Sequence, residues 1–588
     1  MFKNIRVKRF SGYVLGYRQP TCHFLFDWAD DDGKFNAELK TILEIIFANT
    51  SNFGEITESN ISGDLKDCPP EVVTFSKSLF RLQACSGDIV VDRPKIIRSS
   101  TSGHSWLLVQ PTFATRLCVA IAKEFLKWFS SPNMSKDKIE NRCTEVIENA
   151  SKFALSGTNN KIFIRKAIEN DIPVMLLPGN LIQYGYGEGS RIFSSSLSEQ
   201  TSAIAARVAR NKFETVALLG FAGFPVPKQK RVESLEHASK VATEFGFPVV
   251  LKPTALDQGA GVFANIGDES ELSSAYAKAS KVSKNLLLED HIEGDDFRIN
   301  VINGKVASIV HRWPARVTGD GKKTIRDLIS LENQDPRRGA DRFSARKIID
   351  IDADLEIFIG KQSLTMHSVP QKGEVVNLRA NANVSTGGDS TAVSISDAHP
   401  SFLKICEDAC KFINLDIAGV DIVALDFRKP LSETGGAIIE INAVPQIGVT
   451  VPEVVDTLFE QFGLLKARDN MISVVFDESF HKVAEKSSVL QKLLKRHEKC
   501  ELKCFWNEDW LRQGMPFDRV HNVIIANWND KKSLIEALKF LEPSVRNFVF
   551  LEKDSVVSEA LLENSPNLSL EFVTRATLQS MAGFENPR

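Results

Sequence analysis

The sequence predicts a mixed α/β (α+β) protein of several domains, and three observations lead there. Apolar runs of strand length, such as "IPVMLLP", "PVVLKP" and "IIEINAVP", alternate with longer segments whose apolar residues recur at three- and four-residue steps. The chain has 588 residues, 43% hydrophobic and 25% charged, enough for three or four cores of ordinary globular composition. Gly, Pro and Asn turn signals punctuate it, with no low-complexity linker and no internal repeat.

The remaining totals narrow the function classes. A formal net charge of −3 argues against nucleic acid or an anionic membrane as the main partner, so any anionic ligand must be held by local Lys and Arg. The N-terminus has no apolar core of signal-peptide length and no run of eighteen apolar residues occurs, so no membrane span is expected. Nine scattered cysteines, an odd number, suit reduced thiols in a cytoplasmic protein. His497, Cys500 and Cys504 of "HEKCELKC" have a spacing that suggests a metal, but lack a convincing fourth ligand and sit in a Lys-rich segment that reads as helical. A structural role is expected for them.

Element by element, "TRLCVAIAKEFLKWF" (115–129) reads as an amphipathic helix in an otherwise unrevealing first 160 residues. Residues 160–193 read helix, buried strand "IPVMLLP", Gly-rich turn, and residues 213–232 repeat helix, "GFPVP", short strand. From about 238 come helix, strand "PVVLKP", a Gly-containing loop and another strand. "DFRINVINGKVASIVHRW" is a hairpin with Asn303-Gly304 at its turn. Residues 418–445 read as two strands joined by a Pro/Gly-bearing loop. Past 470, "MISVVF", "VHNVIIANW" and "VRNFVFLE", separated by helical segments, suggest a small α/β domain.

The sharpest chemical signal pairs "GVDIVALD" (419–426) with "IIEINAVP" (438–445). Glu440 and Asn442 are two apart on a strand and share a face, with Ile439, Ile441 and Ala443 pointing the other way. Antiparallel pairing would bring Asp421 to the same face. Two carboxylates and an amide oxygen form an all-oxygen set suited to Mg²⁺, against the plainer possibility of an acidic exposed hairpin. Lys252, near the end of an apolar strand, needs an anionic partner to offset its desolvation. It precedes the loop "DQGAGV" (257–262), whose Gly259 and Gly261 make it flexible enough to close over phosphates. By contrast, "RVTGDGKKTIRDL" (316–328) is no P-loop: Arg316 stands where the first glycine belongs, and the hydroxyl follows the lysine one place late.

These segments resemble, in order, an ATP-grasp carboxylate–amine ligase, most closely the ATP-grasp part of cyanophycin synthetases. The likeness runs from about 165 to 450 through "GYGEGSRIF", "GFPVVLKP", "EDHIEGDDFRINVINGK", "RWPARVTGDGKKTIRDLI", "LRANANVSTGGDS" and "IIEINAVP". "VSTGGDS" (384–390) also recurs in the grasp domain of bifunctional glutathione enzymes. The resemblance implies an ATP-grasp domain over 161–468, with a lid at about 213–290. A cyanophycin-synthetase-like N-terminal domain would occupy 1–160 and a small α/β domain 469–588. It implies ATP phosphates and adenine on Lys212 and Lys252, adenine on Glu289, ribose hydroxyls on Asp296, and one or two Mg²⁺ (or Mn²⁺) on Asp421, Glu440 and Asn442. Arg379 would contact a phosphate or acyl phosphate, and Arg298 and Arg312 a phosphate or substrate carboxylate. The substrates would be amino acids or peptides, and such enzymes are typically homo-oligomers.

The sequence also departs from cyanophycin synthetases. Roughly a hundred residues follow position 470, without the P-loop of their Mur-ligase-like domain, so one ATP site is expected. "DQGAGV" lacks a basic residue, and "AVPQIGVTVP" replaces their "AAPGF" turn. The reaction expected is single-step amide formation through an acyl phosphate. The alternatives are a glutathione-like γ-glutamyl ligase and a catalytically silent scaffold. The intact Asp421, Glu440, Asn442, Lys212 and Lys252 oppose the scaffold.

Overall fold

The computed structural model describes residues 2–10, 17, 19–28, 61–63, 68–98, 105–128, 136–185, 189–254, 261–335, 338–339, 346–380, 382 and 386–465, with the backbone of five further strands between 472 and 573. The chain divides into two compact units, Met1–Phe193 with Phe462–Arg588, and Ser194–Gln461.

In the first unit, β1 (Phe2–Phe10), β2 (Thr21–Trp28), β3 (Ser62–Gly63), β4 (Lys95–Arg98) and β5 (Ser105–Pro111) form one sheet, ordered β1-β2-β5-β4-β3. Helices α1 (Pro70–Cys85), α2 (Thr115–Trp128) and α3 (Lys136–Ser151) share its core. The periodicity read in α2 is the buried stripe Leu117, Cys118, Ile121, Ala122 and Phe125, which meets Phe24, Phe26 and Phe75. After α4 (Thr158–Glu169), the strands β6 (Val174–Leu177), β7 (Leu181–Tyr184) and β8 (Arg191–Ser194) pair antiparallel.

The second unit opens with β9 (Leu197–Ser198), α5 (Ala203–Ala209) and α6 (Lys212–Phe221). A four-stranded antiparallel sheet follows, made of β10 (Gln229–Val232), β11 (Val249–Pro253), β12 (Phe263–Ile266) and β13 (Leu286–Asp290) in the order β10-β13-β11-β12. Helices α7 (Leu235–Phe245) and α8 (Glu269–Val282) cover one face, burying Val241, Leu272 and Ala279 against Val249, Leu251 and Leu288.

The hairpin β14 (Asp295–Ile302) and β15 (Lys305–Trp313) begins the larger sheet. Its turn is the Asn-Gly read from sequence, with Asn303 at φ 46° and Gly304 at φ 73°, the left-handed pair that matches strand twist. An insert then forms its own small core from Ala315, Val317, Ile325, Ile329, Leu355 and Ile359. It holds β16 (Arg316–Thr318), α9 (Ile325–Glu332), β17 (Arg338–Gly339), β18 (Arg346–Lys347), α10 (Ala353–Lys361) and β19 (Val375–Asn377). The "TGDGKKT" turn lies here and is closed on itself. The Asp320 carboxylate accepts from Lys322 N and Lys323 N, both at 2.8 Å, and Thr324 with Asp327 caps α9. Those N–H groups are spent on a carboxylate of the loop, as the failed P-loop spacing implied.

The large sheet is completed by β20 (Asp389–Val393), β21 (Ile417–Ala424) and β22 (Gly436–Asn442), in the antiparallel order β20-β15-β14-β21-β22. Helix α11 (Pro400–Ile413) lies on one face, where Phe402, Cys406, Ala409 and Cys410 meet Phe297, Ile299, Val420 and Ile441. The short α12 (Leu431–Thr434) sits in the β21–β22 connection, and α13 (Val454–Gln461) ends the unit.

Beyond it, β23 (Ile472–Asp477), β24 (Lys503–Phe505), β25 (Val523–Trp528), β26 (Arg546–Phe550) and β27 (Leu570–Val573) run parallel in the order β24-β25-β23-β26-β27. The apolar runs read after 470 are therefore strands of one parallel sheet, and the helical segments expected between them lie outside the described residues. So do His497 and Cys500; the backbone at Cys504 is strand, not helix. No described helix is long and apolar enough to cross a membrane.

Candidate active site

The register of the large sheet builds the site. Phe297, Ile299 and Val301 of β14 enter the α11 core, so Asp296 and Arg298 project from the opposite face. Across β14–β15 Asp296 stands opposite Arg312, across β14–β21 Arg298 stands opposite Asp421, and across β21–β22 Asp421 stands opposite Glu440. Asn442 stands opposite Gly419, two positions along on the same face. The sequence-predicted Asp421, Glu440, Asn442, Asp296, Arg298 and Arg312 thus share one face.

The sequence reading erred on one neighbour. A bulge between Asp421 and Ile422 makes Ile438 the partner of Ile422 and buries it completely, while Ile439 is only half-buried. Residues 438 and 440 share a parity that strict alternation assigns to one face; the extra residue separates them.

Charges on this face are interlocked. Arg298 clamps Asp421 with both prongs, Nε to Oδ1 and Nη2 to Oδ2 at 3.0 Å. Arg312 bridges Asp296, at 2.6 and 2.8 Å, and Asp421, at 3.2 Å. Burial alone would raise the Asp421 pKa, but Arg298, Arg312 and Lys212 outweigh it and hold the carboxyl at about 2. Asp296 goes the other way: burial raises its pKa despite Arg312.

Helix α6 ties this face to the smaller sheet. Asn211 caps it, the Lys212 backbone N–H donates to Thr254 O just past β11 at 3.1 Å, and the Lys212 ammonium pairs with Glu440 on β22. On the smaller sheet Lys252 pairs with Glu289 at 2.7 Å, with Lys252 7% and Glu289 3% exposed. That supplies the anionic partner the lysine required. Burial pushes the Glu289 pKa up while Lys252 pulls it down, with smaller upward pushes from Asp290 and Glu440. Glu289 Oε1 is buried without a hydrogen-bond partner.

Two expected residues stand differently. Arg379 is held by Asp352, at 2.8 and 2.9 Å, and by Asp350 O at 3.1 Å in the insert, and makes no ion pair with the acidic face. Gly259 lies outside the described residues; Gly261 has φ 71°, the left-handed conformation glycine favours. Sequence reasoning missed Gly419. A Cβ there would come 2.8 Å from Pro445 Cβ and 3.1 Å from Arg298 Cδ and Nη1, so the glycine makes the room in which Arg298 lies. A glycine inside an apolar strand, two before the key aspartate, is the signal that could have found it. Among the described residues no three acidic, His or Cys side chains group as metal ligands; the Asp421 set has two carboxylates and an amide.

The chain is similar to known proteins over part of its length. Residues 215–320 match the family model of the D-ala D-ala ligase C-terminus, so the middle of the chain carries an ATP-grasp domain of that kind. Among curated relatives, the cyanophycin synthetase of Crocosphaera subtropica is 36% identical over 293 residues, 49% of this chain and 34% of that protein. The glutathione biosynthesis bifunctional protein of Clostridium perfringens is 31% identical over 298 residues, 50% of this chain and 38% of that one. The chain thus spans little more than a third of the length of these relatives. Among solved structures, a bifunctional glutathione synthetase from Pasteurella multocida overlaps 75% of this chain and 82% of its own, at 16% identity and a TM-score of 0.40.

Proposed function

We propose that this chain is an ATP-dependent carboxylate–amine ligase. It would join a carboxylate of one amino acid or peptide to an amine of another through an acyl phosphate, releasing ADP and phosphate. The observation that carries the reading is the β21–β22 register, which sets Asp421, Glu440 and Asn442 on one face beside Lys212, Arg298 and Arg312.

The residues fit the groups the reaction needs. Asp421, Glu440 and Asn442 offer only oxygen donors, the hard set Mg²⁺ prefers, and would hold one or two such ions. Glu289 Oε1 is a buried acceptor without a donor, and an adenine amine is a donor of the kind it lacks. Lys212 and Lys252 would meet the phosphates, Asp296 the ribose hydroxyls, and the loop of Gly259 and Gly261 would close over them, within a lid at about 213–290. When bound, Mg²⁺-ATP supplies the phosphoryl group and offsets its charge. Arg298 and Arg312 would orient the substrate carboxylate and oppose its repulsion by the triphosphate. No nucleophilic Ser or Cys is called for.

A glutathione-synthetase-like γ-glutamyl ligase is the second reading, favoured by the 31% identity to the Clostridium perfringens protein. One experiment separates the readings: ADP release with Mg²⁺-ATP against amino acids and short peptides, singly and in pairs, γ-glutamylcysteine with glycine among them, and Glu440→Ala as control. ADP formation that needs one acid–amine pair and disappears in the variant supports the ligase and names its substrates. ATP binding without turnover on any pair would favour a silent scaffold.

A further inference from the structure

The insert borders a partly open cavity of about 210 Å³ that the proposed reaction does not use. It lies between β16, α9 and the start of β20, lined by Arg316, Glu332, Arg338 and Asp389, with Val317, Leu328 and Leu331 as an aliphatic flank. It is not the nucleotide face. In the β15–β20 pairing Ser390 stands opposite Arg312, on the acidic face, whereas Asp389 stands opposite Trp313, on the other.

The charges around it leave one cation over. Glu332 pairs with Arg338 at 2.9 Å, and Asp389 pairs with Arg346 at 2.7 Å. The half-buried Arg316 pairs with no carboxylate of the described residues. Its guanidinium rests 4.2 Å from the centroid of the Trp313 ring, which fixes its plane without occupying its donors. Arg338 is anchored by Lys347 O and Gly387 O, each at 2.9 Å, and its side chain is only 2% exposed, yet its Nε has no acceptor. The half-buried Arg316 guanidinium, with no carboxylate partner among the described residues, therefore lies at a cavity wall with its N–H donors unused.

We propose that this cavity is a second binding site, apart from the nucleotide face, for a carboxylate ligand of amino-acid size. Arg316 receives the carboxylate, and Val317, Leu328 and Leu331 hold an aliphatic body. The carboxylate comes from a free amino acid or from a peptide's C-terminal residue, and the two are separable because only the first carries an amine beside it.

The test is ligand-observed NMR on the full chain without nucleotide, so its outcome is independent of the ligase reading. The probes are L-leucine, N-acetyl-L-leucine and N-acetyl-L-leucinamide. The acids bind and the amide does not; preference for leucine assigns a free amino acid, and preference for the acetylated acid a peptide terminus. Arg316→Gln weakens acid binding about tenfold or more, as loss of a charge-assisted pair does. Leu331→Glu, at a position 51% exposed and tolerant of charge, weakens it through repulsion, and thermal unfolding confirms that both variants fold. Equal binding of acid and amide, wild-type affinity in both folded variants, or no binding of either acid would each overturn the proposal.

Discussion

Lys252 and Glu289 are exposed by only 7% and 3%, so each depends on the other for its charge. Lys252→Met leaves a carboxylate buried alone and should cost about 3–5 kcal/mol in urea unfolding, while adding Glu289→Leu should recover most of that loss. Asp421 behaves differently because its folded pKa, about 2, lies below its unfolded value. Its contribution to stability is complete above about pH 4 and is lost as pH falls through the folded value. Unfolding followed from pH 5 to pH 2 should show that loss in the wild type and not in Asp421→Asn. Gly419→Ala drives a Cβ into the space of Arg298 and Pro445. It should lower ligase turnover at least tenfold for about 1–3 kcal/mol of stability. Glu440 and Asn442 were legible as neighbours because two-residue spacing fixes a face locally, whereas Asp421 joined them only on the condition of antiparallel pairing, which the register meets. The tie of Arg379 to Asp352, 27 residues away, was not legible, because only the folded insert brings them together.

At the scale of elements, the bulge in β21–β22 decides which isoleucine enters the core. Ile438→Ala should cost about 2–5 kcal/mol, as truncation of a fully buried side chain does, and the half-buried Ile439→Ala clearly less. Urea unfolding of the pair checks it; a larger cost for Ile439→Ala would mean that simple alternation holds, and equal costs would contradict the difference in burial. The β14–β15 hairpin and its Asn-Gly turn were readable, but the register was not, because a shift between Asn300 and Val301 is what sets Asp296 opposite Arg312. Helix α2 was readable because its apolar stripe repeats for three turns. The bulge was not: one extra residue leaves no mark in hydrophobic periodicity when Ile438, Ile439 and Ile441 are chemically alike.

At the scale of the whole molecule, the unit Ser194–Gln461 carries every residue the sequence assigned to nucleotide, metal or substrate. Its two sheets, each with its own helical cover, meet at the N-terminus of α6, where Lys212 reaches Glu440 through its side chain and Thr254 through its backbone. The fold class could be read from alternating patterns; the convergence of two sheets on one lysine could not, since it joins positions 228 residues apart. The central claim is that the face of Asp421, Glu440 and Asn442 holds a magnesium nucleotide. Calorimetric titration of the full chain with ADP, with and without Mg²⁺, in wild type and Glu440→Gln, tests it most directly. One Mg²⁺-dependent site per chain, weakened about tenfold or more in the variant, is the expected result. ADP binding that ignores Mg²⁺, or that keeps wild-type affinity in Glu440→Gln, would contradict it.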